Sequence, residues 1–410
     1  MTAPPAPGNA RTSGLKSHYD VVIVGGAVIG AAVAYFLGED PAFEGSILVV
    51  ERDSTFARAS TALSTSSIRQ QFSNPLNVKI SQFGIEFVTG FAERMAPFFE
   101  GEPPQDLGFK ENGYLYCWPP HAVEAARERV ALQQSLGAHT VFLAPEDLER
   151  RFPYLSVEGL GGASFGERRE GWFDSVGLMQ GLRRAAKHHG ATLLADEVVG
   201  LSLAGDRVDR VHLASGASVA CGHCVNAAGP RANRVAGMVG LAIPVEPRRR
   251  YSFVFSSSQP IEGKMPIVID PSGVFVRPEG ARFLSGNTPS DDGPADVDDF
   301  SIRHEEFEEF IWPALLHRIP RFEALKVETA WTGHYAFNTF DQNAILGPHA
   351  RITNFHFANG FSGHGLQQSP AVGRYIAEMI VHGRAQTLDL SPFAHQRIEE
   401  GQPFAEAAII

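Results

Sequence analysis

The alternation of apolar and polar positions changes its period along the chain, and the first change is the most informative. Tyr19-Asp20-Val21-Val22-Ile23-Val24 is an apolar run that stops at Gly25-Gly26. Small and apolar residues then follow at helical spacing to Leu37, and Ile47-Leu48-Val49-Val50 is a second apolar run closed by Glu51. Short continuous apolar runs bounded by turn residues predict strands buried on both faces, so the order reads strand, glycine turn, helix, strand. Helical spacing returns over 77–95, with Val78, Ile80, Phe83, Ile85, Phe87 and Val88 as its apolar positions. It returns again over 124–136, between Pro119-Pro120 and Gly137, and over 176–190. The last of these closes on Lys187-His188-His189, whose charge suits the negative end of the helix dipole better than a metal.

Strand patterns at 192–194, 198–201, 208–213 and 219–225 form a meander that returns to the first unit. Residues 241–332 carry a second group, at 251–255, 267–270, 273–277 and 282–286, followed by a helix over about 302–317. Alternating strands with turns between them predict an antiparallel sheet, a different construction from the parallel first part. Residues 352–358 read as a strand, and the helix expected over 367–382 puts Val372, Tyr375, Ile376, Met379 and Ile380 on one face. The fold class is therefore α/β, α+β overall. A Rossmann-like nucleotide-binding domain with a parallel sheet takes 18–80, 154–240 and 333–400, interleaved with a domain on an antiparallel sheet that takes 81–153 and 241–332.

Composition narrows the function classes. Hydrophobic content of 44% and charged content of 20% are ordinary for a soluble globular chain. The net charge of −11 argues against a nucleic-acid partner, which needs a basic face. Three cysteines make no disulfide framework, and a reducing, cytoplasmic location is expected. Cys221-Gly222-His223-Cys224 has CxxC spacing without a second pair to complete a zinc site, and it continues an apolar strand where the thiols would be small buried groups. No metal site is expected. Residues 1–17, rich in Pro, Ala, Gly and Ser, read as a disordered leader without the apolar core of a secretory signal. No window reaches the roughly 18 apolar residues of a membrane span.

The chemistry is concentrated in a few stretches. Gly25, Gly26, Ala27, Val28, Ile29 and Gly30 follow the glycine pattern of a dinucleotide-binding turn, with Ala27 in place of its second glycine. Gly25 permits the sharp turn, Gly30 permits close helix–sheet packing, and the helix N-terminus offers free N–H groups to a diphosphate. Glu51, 21 residues past Gly30, is placed to accept ribose hydroxyls. The segment 58–72 is dense in hydroxyls that suit either phosphate contacts or a capped loop. Near the other end, Asn359-Gly360-Phe361-Ser362-Gly363-His364-Gly365 feeds a helix and offers N–H groups to an anion.

Three separated blocks, the N-terminal glycine motif, Val225-Asn226-Ala227-Ala228-Gly229, and Gly360-Phe361-Ser362-Gly363-His364-Gly365, resemble the FAD-dependent D-amino-acid oxidase superfamily. The resemblance is closest to its sarcosine oxidase and dimethylglycine dehydrogenase branch and spans roughly residues 19 to 385. It implies FAD in the first domain and a substrate sheet covering the flavin. Carried over residue by residue, it puts Glu51 on the adenosine ribose, Arg52 beside the adenine, and Ser60 and Thr61 near the diphosphate. It puts Val198 against the adenine, Ala228 and Gly229 along the cofactor's centre, and Gly363, His364, Gly365 and Leu366 facing the flavin. Arg69 aligns with an arginine that pairs with a substrate carboxylate, which its two-pronged guanidinium suits. Tyr335, His364 and Gln367 fall at active-site positions, Gln367 replacing a second carboxylate-binding lysine.

The positions of covalent flavin attachment in relatives are Gly333 here, or lack a histidine within 60–69, so noncovalent FAD is expected. Leu284 stands near the position of an oxygen-activating lysine, so a quinone or electron-transfer protein competes with O2 as acceptor. The activity implied is oxidation of the C–N bond of a small amino acid, secondary or N-methylated, giving an imine that hydrolyses. Two alternatives stand beside it. The runs Ile68-Arg69-Gln70-Gln71-Phe72-Ser73 and Gly333-His334-Tyr335 are similar to FAD-dependent oxidoreductase-domain proteins that assist assembly of a respiratory complex, and a primary D-amino-acid or glycine oxidase is the other.

Overall fold

The computed structural model describes residues 14–99, 101 and 106–407. The expected leader lies, up to residue 13, outside the described residues. Around the strand His18–Val24 is built an eight-stranded sheet in which that strand is paired in parallel on both sides, with Ile47–Glu51 and with Ser218–Asn226. The sheet continues in parallel to Thr192–Ala195 at one end and to Phe355–Asn359 at the other, beyond which Ile345–Pro348 adds an antiparallel edge. Val198–Ala204 and Arg207–Leu213 form the meander read from the sequence, attached antiparallel to Ser218–Asn226. Central strands covered on both faces explain the unbroken apolar runs: Val21, Val22 and Ile23 are fully buried. The helix Val28–Glu39 packs against this sheet and against both Ser175–His188 and Gly365–His382.

The second sheet also has eight strands, in the order Leu325–Asn338, Val245–Ser257, Arg282–Asn287, Phe275–Glu279, Ile267–Ile269, Tyr114–Trp118, Gly162–Gly166, Thr140–Leu143. It includes Gly162–Gly166, beyond the boundary drawn at residue 153. One pair departs from the antiparallel expectation: Ile267–Ile269 runs parallel to Tyr114–Trp118. These two strands come from segments far apart in the chain, so no hairpin dictates their relative direction.

The remaining element readings are close, with two differences. The helical run over 77–95 is two helices, Pro75–Thr89 and Phe91–Met95, because the chain turns at Gly90. The helix expected from 302 begins only at residue 305 and passes through a π-helical turn, Phe307–Ile311, before the α-helix Trp312–Arg318. Pro313 follows directly on this wider turn, in which Trp312 donates its N–H to Phe307 O; without an N–H of its own it interrupts the helical ladder there.

Candidate active site

A cavity of about 570 Å³ lies between the two sheets. Its floor is the carboxyl ends of the parallel strands, where Val24, Val50 and Ala227 line it, which is where open α/β sheets bind their ligands. Glu51, Arg52, Val198, Ala228 and Gly229 line it, and so do Arg69, Tyr335, His364 and Gln367. Residues as far apart in the chain as Val24 and Gln367 thus line one cavity.

At the first end, Gly25 holds a φ of +103°, a left-handed conformation that glycine adopts without strain, and the helix Val28–Glu39 starts three residues later. Ala27, Val28 and Ile29 line the cavity beside Gly25, whereas Gly26 and Gly30 do not. Gly26 instead donates its N–H to Glu51 Oε2 at 2.8 Å and accepts at its carbonyl from Arg183 at 3.0 Å. Gly30 lies so close to the turn that a Cβ there would stand 1.9 Å from Gly25 O. Glu51 accepts one backbone N–H on each oxygen, from Gly26 and from Asp53 at 2.9 Å, which fixes the carboxylate while leaving lone pairs for a ligand's hydroxyls.

Two hydroxyls of the 58–72 segment bond within the protein, as a held loop would. Thr61 Oγ1 accepts from Val28 N at 3.3 Å and ties the loop to the helix N-terminus, while Ser60 donates to His334 O at 2.7 Å. Both line the cavity. Arg52, at the mouth, is 3.9 Å from Asp298, a carboxylate that also pairs with Arg231.

At the far end, Gly363 has a φ of +95° and no room for a side chain, since a Cβ would stand 2.5 Å from the ring of Tyr335. That turn delivers His364, Gly365 and Leu366 to the cavity and starts the helix Gly365–His382. Arg69 is buried, its Nη1 donating to Gln71 O at 3.0 Å and its Nη2 to His364 Nε2 at 3.2 Å. A guanidinium only donates, so His364 Nε2 accepts and the ring proton of a neutral imidazole sits on Nδ1. Burial, and then the charge of Arg69, push the His364 imidazolium down to about 3, so the ring is neutral.

Burial pulls the Arg69 guanidinium down too, but Tyr116, Tyr114, Glu406 and Glu170 outweigh it and the net shift is upward. Tyr114 and Tyr116 are raised by burial and stay phenols. The Arg69 guanidinium also lies 4.1 Å from the centre of the Phe72 ring. Gln367 spends its side-chain oxygen on the backbone N–H of Arg69 at 2.8 Å, fixing the arginine to the last long helix.

Several residues at this end carry no signal in the sequence pattern. Tyr114, Phe275, Arg277 and Asn287, all from the second sheet, line the cavity. Glu170 and Glu406 are buried beside the Arg69 segment, although acids in polar or terminal stretches ordinarily read as solvated. Only their hydrogen bonds, to Gln70 N and Ser73 N, give them away.

Two other clusters resolve against chemistry. Cys221 and Cys224 are buried and free, and burial pushes the Cys221 thiol up to about 12, far from the thiolate that redox or metal work needs. His349, His395 and Glu399 bring three ligand atoms within 4.8 Å of one another. His349 Nδ1 accepts from the backbone of Arg351 and Ile352, at 3.2 and 2.9 Å, which puts the ring proton on the Nε2 that a metal would need.

The cavity fits a dinucleotide in its chemistry: an acid at one end, a helix N-terminus behind a left-handed glycine, and a second glycine turn opening another helix beside a buried cation. The protein described as FAD-dependent oxidoreductase domain-containing protein 1 of Bos taurus is 40% identical over 424 residues, covering 95% of this chain and 87% of that one. Mitochondrial sarcosine dehydrogenase of Mus musculus is 24% identical, covering 93% of this chain and 42% of its own length. Among solved structures, the L-proline dehydrogenase of P. horikoshii superposes with a TM-score of 0.83 at 26% identity, over 95% of this chain and all of that one. No helix among the described residues is long and apolar enough to cross a membrane. The family model described as FAD dependent oxidoreductase matches residues 20–379, and with a cavity of this chemistry behind the match, the chain belongs to that family and its cofactor is FAD.

Proposed function

We propose that the protein oxidises the C–N bond of a small amino acid, secondary or N-methylated, whose carboxylate is held by Arg69. The observation that carries this reading is a charged, buried guanidinium lining the same cavity as the glycine turn of the last long helix. Similarity to a sarcosine dehydrogenase and an L-proline dehydrogenase supports an N-substituted or cyclic amine. Noncovalent FAD would lie along Gly25, Ala27 to Ile29, Glu51, Ala228 and Gly229, and Gly363 to Leu366. When bound, it supplies the two-electron acceptor for the hydride that leaves the carbon beside the amine.

The protein's own part is binding and orientation. Arg69 takes the carboxylate by parallel hydrogen bonds and thereby aims the C–H bond. His364, neutral and with its Nε2 lone pair turned to Arg69, adds no charge that would compete for that carboxylate. Ile267 and Phe275 form an apolar wall that limits water beside the reacting carbon. The amine reacts in its neutral form, and the resulting imine is hydrolysed by water. Electrons then pass to O2, a quinone or an electron-transfer protein.

Anaerobic mixing with sarcosine, dimethylglycine, L-proline and a set of D-amino acids, followed at the flavin absorbance, tests the reading. Rapid bleaching by an N-substituted amino acid, with KM raised sharply in Arg69→Ala while the variant still purifies yellow, is the expected result. Bleaching by primary D-amino acids or glycine alone would move the substrate class to that alternative. No bleaching by any amine would reject the catalytic reading in favour of an FAD-binding assembly role.

A further inference from the structure

Arg69 reaches the cavity from a short turn, and one buried acid outside the cavity holds that turn in place. Glu170 is 1% exposed and is absent from the cavity wall. Its Oε1 accepts the backbone N–H of Gln70 at 2.7 Å and its Oε2 accepts Gln71 Nε2 at 2.9 Å. Gln71 Nε2 also donates to Tyr114 O at 2.8 Å, and Gln71 O receives Arg69 Nη1. The carboxylate therefore fixes both residues after Arg69, one of which in turn carries the guanidinium. The pocket for it is shaped at Gly166, where a Cβ would stand 1.9 Å from Glu170 Oε2.

We infer that Glu170 is a positioning residue that sets the bearing of Arg69, so that binding of a carboxylate in the cavity depends on Glu170 being ionised. The inference rests on the carboxylate role of Arg69 proposed above. Both neighbours of the Glu170 oxygens are N–H donors, and a protonated carboxyl would turn its own O–H toward one of them, where no acceptor stands. Burial acts in the opposite sense and raises the Glu170 carboxyl to about 7 against the pull of Gln71, Gln70 and Arg69. The charged and titratable groups that face it are Arg69 on its own turn and Tyr114 and Tyr116 on the adjoining strand, with Glu406 acting on the same arginine. Arg69 stays charged and both phenols stay neutral, so they do not mimic its titration.

The test uses FAD-loaded protein and two non-oxidisable carboxylates, acetate and benzoate, with binding read from the change in the flavin spectrum. Benzamide serves as the uncharged control. In the wild type, Kd for the carboxylates should rise roughly tenfold as pH falls from about 8 to about 5.5, the equivalent of one lost charge-assisted hydrogen bond, while Kd for benzamide stays flat. Glu170→Gln should bind carboxylates weakly at both ends of this range, with the pH dependence gone, and Glu170→Asp should restore a pH-dependent Kd. A purely structural role would lower flavin content without altering the pH profile. Glu170→Gln with a wild-type pH profile overturns the inference while leaving the carboxylate role of Arg69 intact. Carboxylate binding that is absent, or indifferent to Arg69→Ala, overturns both.

Discussion

Replacing Gly30 by alanine is the sharpest test of the cofactor-binding turn. A Cβ at this position would stand 1.9 Å from Gly25 O and 3.1 Å from Ile23 Cγ2, whereas real Cβ contacts do not come below 3.0 Å. The helix would have to move off the turn by about 1.1 Å, and its neighbours are backbone and a buried strand residue that cannot swing away. Overpacking of this kind costs about 1–3 kcal/mol, and if it falls on the turn that carries Gly25 and Ala27 it weakens FAD binding roughly 5- to 150-fold. Titrating apoprotein with FAD, followed by the quenching of flavin fluorescence, measures this directly. Gly237→Ala is the matched control, because a Cβ there meets nothing within 4 Å. If Gly30→Ala bound FAD as tightly as Gly237→Ala, with the same melting temperature, the close approach of helix and turn would not be what the glycine is for.

Further outcomes follow from burial. Arg69→Lys should keep the positive charge yet lose the two-pronged geometry, leaving KM for an oxidised amino acid about tenfold above wild type and well below that of Arg69→Ala, as steady-state kinetics would report. The three cysteines should be silent to a thiol reagent in the folded protein and react stoichiometrically in denaturant, since all are buried and burial raises each thiol; fast reaction of any one in the native state would contradict this. His356 and His364 are both held down to about 3 chiefly by burial, against an ordinary value of 6.5. Their contribution to stability is therefore complete above pH 6.5 and is lost as pH falls toward 3. Glu170, raised to about 7 from 4.5, works in the opposite direction and loses its contribution as pH rises through 7. His223, His334, His349 and His395 are lowered by burial as well, so the histidines outweigh Glu170, the melting temperature of the FAD-loaded protein should fall on acidification below 6.5, and His356→Asn should flatten that slope. An unchanged slope would mean that the ring is not the group titrating.

The first unit of the fold was legible because its signals are local. An apolar run ending in Gly25, a helix with Gly30 at its start and a second run ending in Glu51 follow from the 2.0 and 3.6 periods and from turn geometry, and these act within a few residues. The glycine turn before the last long helix was legible for the same reason, as was the burial of Cys221 and Cys224 in a strand. The packing role of Gly30 was legible too, whereas that of Gly26, whose N–H holds Glu51, was not.

What only the tertiary structure decided is which polar residues leave water together. Glu406 reaches Ser73 across 333 residues of chain, Gln367 reaches the backbone of Arg69 across 298, and Glu170 turns inward from a run of charges. The parallel pairing of Ile267–Ile269 with Tyr114–Trp118 belongs with these, since no hairpin joins the two strands. Periodicity records whether a side chain faces the core of its own element. It holds no record of which distant element brings the opposite charge or the missing acceptor, and the Arg69 end of this cavity is made of such meetings.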